Sequence, residues 1–221
     1  RELSCDCLAF RPRGRTAVFA VFSSDGRISD ADMYYLKGLL KVVDNVVIVG
    51  DCPIYPAEVA KIEPFVCHYE FVRHGEYDFG SYKRGWRYIR TRFDLGGGGE
   101  VVFCNNSCYG PVVPFEIMFE KMSGCQCDFW GVCESSFYRR HVQSYFIVFR
   151  DKVLRSDFLD VFLSHVRREQ SVMDVILKYE IGLTQGLVRR GFVGGAFVKP
   201  RTGVPRGENP TLHPIAMFEQ G

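Results

Sequence analysis

The sequence predicts an α/β domain with a mostly parallel central sheet flanked by helices. Short apolar runs of strand length alternate with longer segments in which apolar residues recur at helical spacing. Strand–helix units that follow one another in this way imply parallel strands joined by right-handed crossovers. Polar clusters directly follow several of the apolar runs, and from this position the strands of an α/β sheet contact a ligand.

Three strand–helix units are predicted in the first half of the chain. Residues 16–22 are β-branched and aromatic, which favours a first buried strand. Apolar residues then lie at helical spacing within residues 30–43, and Ser29 or Asp30 precedes them as the N-cap. The same criteria predict strands over residues 45–50 and 65–72, a short helix over 56–62, and a helix that follows the polar segment 73–83 and ends near Phe93.

The second half is organised around residues 101–111, V-V-F-C-N-N-S-C-Y-G-P. This segment begins as a buried strand over residues 101–104 and becomes polar at Asn105, Asn106 and Ser107, which predicts a strand that ends at a binding site. The other predicted elements are helices over residues 114–122, 156–166, 171–179 and 182–190, and strands over residues 127–132, 144–149 and 194–198.

The organisation predicted from these elements is a single domain over residues 1–221. No repeat and no linker divides the sequence, and its length is sufficient for one full core. Residues 199–221 are rich in proline and glycine, which predicts an irregular tail. The chain starts at Arg1-Glu2 without a signal-peptide pattern, so we expect it to be a fragment, with a longer polypeptide left open.

Composition excludes several classes of protein. A hydrophobic fraction of 47% and a charged fraction of 24% are typical of a globular domain. The net charge of +2 argues against a dedicated nucleic-acid binder. No apolar run reaches the roughly 18 residues that a membrane-spanning helix requires, so no transmembrane segment is predicted.

The nine cysteines favour a reducing compartment. Their number is odd, most lie within apolar runs, and no Cys-x-x-Cys pair with a nearby pair of histidines forms a zinc pattern. Buried free thiols therefore explain them better than disulfides or a zinc site. The sequence on this basis predicts a cytoplasmic protein.

Five polar clusters follow predicted strands and form the candidate binding site. They are residues 23–25, Asp51, residues 76–78, residues 105–107, and residues 128–134 together with His141. The first strand–helix turn has no G-x-G-x-x-G, and the chain contains neither G-x-x-x-x-G-K nor G-x-S-x-G. These absences argue against a dinucleotide-binding fold, a P-loop enzyme and an α/β-hydrolase.

Five blocks of sequence carry a resemblance to a known family. They are E-Y-D-F-G-S-Y-K (76–83), N-N-S-C-Y-G-P (105–111), C-D-F-W-G (127–131), H-V-Q-S-Y-F-I-V-F (141–149) and Y-E-I-G-L-T-Q-G-L-V-R-R-G-F (179–192). Together these blocks resemble the rhamnan synthesis protein F family, bacterial glycosyltransferases that build rhamnose-rich cell-surface polysaccharides. The resemblance extends from about Thr16 to His213.

The resemblance implies a glycosyltransferase-A-like fold, a nucleotide-diphospho-sugar donor and a glycan or lipid-linked glycan acceptor. On the same basis the sugar is expected to be rhamnose carried by dTDP, and the protein to work in the cytoplasm, peripherally at the inner face of the membrane. Family members usually have N-D-S where this chain has Asn105-Asn106-Ser107. Mg²⁺ and Mn²⁺ prefer carboxylate ligands, so Asn106 as a metal ligand, and metal dependence itself, are put in doubt.

Glu180 is the catalytic base that the resemblance implies, because its block is similar to the segment of inverting family-2 glycosyltransferases that carries this acid. Without the resemblance, Glu180 reads as an acid at a helix start. The residues expected to bind the nucleotide sugar are Ser23, Asp25, Asp51, Asp78, Lys83, Asn105, Asn106 and Ser107, with Arg84 as a further diphosphate contact. The residues expected to bind the acceptor or a sugar are Asp128, Trp130, Glu134, His141 and Gln143.

Several of these residues have a structural alternative. Asp78 could be a helix N-cap, and Lys83 could be a solvated surface charge. Trp130 could be a core residue, and His141 could be structural. For the whole chain the alternatives are a transferase with a different donor sugar and a non-catalytic glycan-binding or assembly module that kept the fold without the metal motif.

Overall fold

The computed structural model describes residues 3–5, 14–92, 97–199, 204–205 and 207–218. These ranges contain nine strands, which pair into one sheet. The strands are β1 (Leu3–Cys5), β2 (Arg15–Val21), β3 (Asn45–Gly50), β4 (His68–Phe71), β5 (Glu100–Asn105), β6 (Phe129–Ser135), β7 (His141–Val142), β8 (Phe146–Phe149) and β9 (Gly194–Val198).

The sheet has the strand order β1-β4-β3-β2-β5-β8-β6-β7, and β9 also pairs with β6. Strands β4, β3, β2 and β5 are parallel neighbours, as the succession of strand–helix units predicts. β8 runs antiparallel to both β5 and β6, so β6 points in the same direction as β5. The predicted fold class, α/β with a central sheet flanked by helices, is confirmed, and the antiparallel pairs lie on the β8 side and at the β1 edge.

The helices of the described residues lie on both faces of the sheet. The α-helices are α1 (Asp30–Leu39), α2 (Pro56–Ile62), α3 (Tyr77–Arg92), α4 (Phe115–Ser123), α5 (Asp151–Leu154), α6 (Phe158–Ser164), α7 (Val172–Val175), α8 (Ile181–Arg189) and α9 (Pro214–Phe218). Ser29 caps α1 in a reciprocal capping box with Asp32, which confirms the predicted N-cap. The predicted end of α3 near Phe93 lies outside the described residues.

The core has two layers because successive residues of a strand point to opposite faces of the sheet. On β2, Phe19 packs on the face covered by α1, α2 and α4, whereas Val18 packs on the face covered by α3, α6 and α8. Gly85 allows α3 to approach β2 closely: a Cβ atom at this position would lie 2.3 Å from Cγ1 of Val18. This close approach packs the middle of α3 directly on β2.

Three of the departures from the predicted elements lie in the second half of the chain. The helices predicted over residues 171–179 and 182–190 are continuous through a π-helical turn, Ile176–Glu180. The strand predicted over residues 144–149 begins only at Phe146, because the backbone N–H of Ser144 bonds to a side chain instead of a strand. The tail predicted as irregular contains α9 and a 3₁₀ turn, Pro210–Leu212, whose N-cap is Asn209.

Candidate active site

The carboxyl ends of β2, β3 and β5 meet at one edge of the sheet. Val21 is in register with Gly50, and Ala20 with Asn105, so the residues that follow the three strands are neighbours. Two clefts open at this edge. The first cleft is lined by the start of α1 and is called the α1 cleft; its volume is roughly 610 Å³. The second is lined by the start of α3 and is called the α3 cleft; its volume is roughly 370 Å³.

Asn105 connects the end of β5 to the start of α3. Its side chain is buried, and its Nδ2 donates a hydrogen bond to Oδ2 of Asp78 at 2.7 Å. Its Oδ1 accepts hydrogen bonds from the backbone N–H of Ser107 at 3.1 Å and from the Ser107 hydroxyl at 2.6 Å. Both ends of the buried amide are therefore satisfied within the site.

Asn106 connects the end of β5 to β2 and α1. Its Oδ1 accepts from the N–H of Phe22 at 3.1 Å, and its Nδ2 donates to the carbonyl of Phe22 at 3.1 Å. Nδ2 also donates to Oδ1 of Asp32 at 2.9 Å. The amide thus pairs with a peptide group as a neighbouring strand would, and its orientation is fixed by one donor and two acceptors.

Asp51 shapes the loop that enters α3. Its Oδ1 accepts hydrogen bonds from the backbone N–H groups of His74 at 2.7 Å and Gly75 at 2.8 Å. Tyr77, two residues after Gly75, has a φ of 55°, a left-handed conformation that is uncommon for a tyrosine. Strain of this kind is often found where a loop forms a binding site. The α3 cleft is lined here by Asp51, Asp78 and Arg168.

Asp78 and Glu180 are half-buried carboxylates with pKa shifts in opposite directions. Burial raises the pKa of Asp78 to about 6; the hydrogen bond from Asn105 opposes this shift, and the carboxylates of Glu180 and Asp51 add to it. Burial alone would also raise the pKa of Glu180, but hydrogen bonds from His141 and Ser144 outweigh burial and hold the pKa below its ordinary value. Near neutral pH, Glu180 is therefore ionised, while Asp78 titrates.

Glu180 is fixed by residues that precede β8. Its Oε2 accepts from the N–H of Ser144 at 2.8 Å and from the Ser144 hydroxyl at 2.6 Å. Its Oε1 lies 3.3 Å from Nε2 of His141, whose ring is buried. The side chain of Glu180 keeps 16% of its surface exposed, so a small part of the carboxylate faces solvent.

Comparison with known proteins identifies the family. The family model described as rhamnan synthesis protein F matches residues 46–215, about three quarters of the chain. The chain belongs to the rhamnan synthesis protein F family. Membership supports a transferase of the glycosyltransferase type, and it confirms the resemblance drawn from the five sequence blocks.

Among solved structures, this chain is similar to a proposed nucleotide-diphospho-sugar transferase from Desulfovibrio desulfuricans G20. The two share 14% sequence identity, with a TM-score of 0.47, and the match covers 82% of this chain and 78% of the other. No curated protein matches the sequence at a significant level. Within the described residues, no helix has the length and hydropathy to cross a bilayer.

The residues predicted to bind the nucleotide sugar divide between the two clefts. Ser23, Asp25, Asn106 and Ser107 line the α1 cleft, whereas Asp51 and Asp78 line the α3 cleft. Ser23 and Asp25 are joined by a 2.9 Å hydrogen bond, and both accept from the N–H of Arg27. Phe22 lines both clefts and separates them.

Lys83 and Arg84, predicted as diphosphate contacts, are both engaged with Glu76. Nζ of Lys83 bonds to Oε1 of Glu76 at 2.6 Å and to the carbonyl of Val166 at 3.0 Å. Arg84 bonds to the other oxygen of Glu76 at 2.6 Å. One half-buried carboxylate therefore binds both cations at the start of α3, and neither side chain lines the α3 cleft.

Asp128 and Trp130, predicted as sugar contacts, line neither of the two clefts. Asp128 precedes β6 and lies at the opposite edge of the sheet, where it bonds to Lys152 at 2.9 Å and to the N–H of Val193 at 2.8 Å. Trp130 is fully buried and packs against Phe119 and Phe146 in the core. The core alternative for Trp130 is therefore correct.

Three further predicted acceptor contacts line neither the α1 cleft nor the α3 cleft, and of these His141 contacts Glu180. His141 and Gln143 are buried, and Nε2 of Gln143 bonds to Oδ1 of Asn209 at 2.9 Å. Glu134 lies at the carboxyl end of β6 and pairs with Arg140 at 2.8 Å. Burial excludes direct sugar binding by His141 and Gln143 in this conformation, whereas Glu134 is partly exposed.

The amide of Asn106 does not fit a metal ligand. Its only oxygen accepts the N–H of Phe22, and its nitrogen is bonded to two acceptors. In the part of the chain that the structure describes, no three His, Cys, Asp or Glu side chains are grouped so that they could hold a metal ion. The prediction of Asn106 as a metal residue is therefore not supported by its contacts.

Several residues of this edge were not predicted from sequence, among them Arg168, Asp32 and Ser144. Asp32, buried at the start of α1, bonds to Asn106 and to the N–H and hydroxyl of Ser29. Ser144 holds Glu180, and its carbonyl accepts from the hydroxyl of Tyr82 at 2.9 Å. The spacing Ser29-x-x-Asp32 is a capping signal that could have indicated Asp32, whereas Ser144 carries no local signal.

Restoring the usual family acid at position 106 is expected to destabilise the protein. In Asn106→Asp a carboxylate would face the carbonyl of Phe22 and the carboxylate of Asp32. We expect the free energy of unfolding to fall by about 1–2 kcal/mol, the cost of a lost hydrogen bond and a like-charge contact at a partly exposed position. Denaturant unfolding measures this loss. Asp32→Asn in the same chain should recover at least about 1 kcal/mol as coupling energy; additive effects would contradict the assigned contact.

The raised pKa of Asp78 predicts a pH-dependent cost to stability. The folded-state pKa of about 6 lies above the ordinary 3.8. The stability that the protonated carboxyl contributes to the folded state is therefore complete below pH 3.8 and is lost as the pH rises through 6. Asp78→Asn should therefore match the wild type at low pH and exceed it in unfolding free energy at pH 8 by about 3 kcal/mol. Thermal and denaturant unfolding from low pH to pH 8 test this; a difference that does not vary with pH would contradict it.

Proposed function

We propose that this protein transfers a sugar from a nucleotide-diphosphate donor to a glycan acceptor with inversion, and that Glu180 is the catalytic base. The observation that carries the proposal is the position of Glu180. It is an ionised, partly exposed carboxylate close enough to Asp78 to raise that residue's pKa, at the edge of the sheet where the parallel strands end. Family membership supports the reaction class.

The chemical step requires one base of this kind. The acceptor hydroxyl oxygen attacks the anomeric carbon from the face opposite the diphosphate, and its proton passes to Glu180 as the new C–O bond forms. The bond from the anomeric carbon to the diphosphate oxygen breaks, and its electron pair leaves with the nucleoside diphosphate. A carboxylate that is held ionised is ready to accept this proton at neutral pH.

The α3 cleft is the donor site in this proposal. Asp51 and Asp78 present carboxylate oxygens, which accept hydrogen bonds from hydroxyl or base N–H groups. Arg168 is the cation among the described residues that line this cleft, and its side chain lies over Gly75. Its guanidinium suits a phosphate oxygen, which is the role predicted from sequence for Lys83 and Arg84.

The finer assignments belong to the same proposal. A dTDP-linked rhamnose donor, a lipid-linked or cell-surface polysaccharide acceptor and a position at the inner face of a membrane are consistent with the name of the family. The pocket contacts that select one sugar over another are few, so neither the nucleotide nor the sugar follows from the fold.

A second candidate function is a non-catalytic glycan-binding or assembly module. It is favoured by one observation, the engagement of Asn106 with Phe22 and Asp32 in place of a metal-binding acid. Such a module would bind a glycan without turning over a nucleotide sugar, so donor hydrolysis separates the two candidates.

Glu180→Gln is expected to abolish turnover while leaving donor binding intact. Glutamine keeps an oxygen that can accept from Ser144, but it cannot take up a proton. Donor hydrolysis, measured as dTDP released from dTDP-rhamnose or UDP released from UDP-glucose, should fall by about 10²–10⁴-fold. Binding of the nucleoside diphosphate, measured by calorimetry, should stay within about threefold of the wild type.

The matched control for this variant is Glu116→Gln, which changes an exposed glutamate on α4 that lines neither cleft. It should leave both measurements unchanged. Turnover by Glu180→Gln at the wild-type rate would show that the base has been wrongly assigned. Glycan binding by a wild type that binds no nucleotide would favour the second candidate.

A further inference from the structure

His141 and Ser144 hold both oxygens of Glu180 from one short segment of chain. Ser144 donates twice to Oε2, and Nε2 of His141 faces Oε1 at 3.3 Å. His141 and Gln143 were expected to contact the acceptor, yet both are buried. A buried imidazole beside the proposed base calls for a different role.

The hydrogen bonds of His141 indicate which atoms carry protons. Nδ1 lies 2.7 Å from the carbonyl of Arg139, which can only accept, so Nδ1 carries a proton. Nε2 faces the carboxylate Oε1, and it too must carry a proton to donate there. The pair Nε2–Oε1 therefore shares one proton, which lies on the imidazole when Glu180 is ionised.

A count of lone pairs leaves one position on Glu180 for a substrate. A carboxylate offers about four acceptor positions, two on each oxygen. Ser144 occupies both positions of Oε2, and His141 occupies one of Oε1. The remaining position is on Oε1, the oxygen that His141 contacts.

The segment that carries His141 is bound rigidly to α8. The N–H of Val142 donates to the hydroxyl of Thr184 at 3.1 Å, and Nε2 of Gln185 donates to the carbonyl of Arg140 at 2.8 Å. Glu180 and Thr184 are one helical turn apart and face the same segment. Tyr82 fixes Ser144 from the side of α3. The backbone on both sides of His141 is thus held by α8, and that of Ser144 by α3.

We propose that His141 is a positioning residue for Glu180: it orients Oε1 toward the acceptor hydroxyl and keeps the carboxylate ionised between turnovers. The inference rests on the proposed function and deepens it. His141 touches neither sugar nor nucleotide in this role. It acts only through Glu180, and the Arg139 carbonyl fixes the ring that does so.

The titratable groups around His141 and Glu180 determine which of them can change charge near neutral pH. From α3, Asp78 is the charged neighbour of Glu180, and Tyr82 stays neutral because burial raises its pKa. From β6, burial raises the pKa of Cys133 to about 12, and Tyr145, which precedes β8, also has a raised pKa. The charged groups that reach this site are therefore His141, Glu180 and Asp78, with the Glu134–Arg140 pair beyond them.

The pH dependence of kcat/KM separates a positioning role from a structural one. His141→Phe fills the volume but donates no hydrogen bond, so the pKa of the buried Glu180 should rise and the acid limb of the profile should move to higher pH by about one unit. His141→Gln can still donate to Oε1 and should return the limb most of the way toward the wild type. Hydrolysis of dTDP-rhamnose or UDP-glucose supplies the rate, with kcat and KM measured separately.

Each outcome of this experiment is decisive. A shifted acid limb in His141→Phe, a plateau near the wild-type rate at high pH and recovery in His141→Gln support the inference. A profile that is lowered without a shift, or a His141→Gln variant no closer to the wild type than His141→Phe, would overturn it. No turnover by the wild type would overturn the proposed function and the inference together, whereas turnover with an unshifted limb would overturn the inference alone.

A measurement on well-folded chains guards against loss of folding in the His141 variants. Nitrogen chemical shifts of ¹⁵N-labelled histidine report protons on Nδ1 and Nε2. The Nε2 shift of His141 should differ between the wild type and Glu180→Gln, in which the carboxylate that faces Nε2 is absent. Identical Nε2 shifts in the two proteins would contradict the contact between His141 and Glu180.

Discussion

The paired amides at the end of β5 are the constraint on which the site depends. The side-chain amide of Asn106 bonds to the N–H and the carbonyl of Phe22, as a neighbouring strand would, and also to Asp32 of α1. The side chain of Asn105 bonds to Asp78 of α3. Two adjacent side chains therefore attach the central strand to the helices on both faces of the sheet. Because each amide offers a donor and an acceptor, it can bond to a carboxylate and still satisfy a second group. An acid in either position would repel the carboxylate that it now holds.

The same edge contains two carboxylates in contrasting environments. Asp78 receives one hydrogen bond from Asn105 and has a raised pKa, whereas Glu180 receives three donors from His141 and Ser144 and has a lowered one. Burial acts in the same direction on both, so the number of donors decides the difference. A pair of acids with pKa values pushed apart is typical of a site with divided roles. In our proposal Glu180 accepts a proton, and Asp78 binds the donor.

The parts of this arrangement that are local in sequence could be predicted. The alternation of strands and helices, the N-cap Ser29 and the polar exit at Asn105–Asn106 follow from patterns within a few residues. The position of Asp128 could have been predicted, because in a parallel sheet the start of the strand predicted over residues 127–132 lies at the amino end, and β6 does run in the same direction as β5. The contact between Ser144 and Glu180 joins residues 36 positions apart. The hydrogen bond from Lys83 to Glu76, the residue that precedes α3, was not predicted from sequence.

The most direct test of this account is calorimetric titration of the protein with dTDP and with UDP, each in the presence of Mn²⁺ and in the presence of EDTA. The account predicts that one of the two nucleotides binds and that binding survives EDTA, because Asn106 is committed to Phe22 and Asp32 and Arg168 lines the donor cleft. Binding that requires Mn²⁺ would show that other side chains form a metal site. Absence of binding by both nucleotides under both conditions would contradict the assignment of this edge as a nucleotide-sugar site.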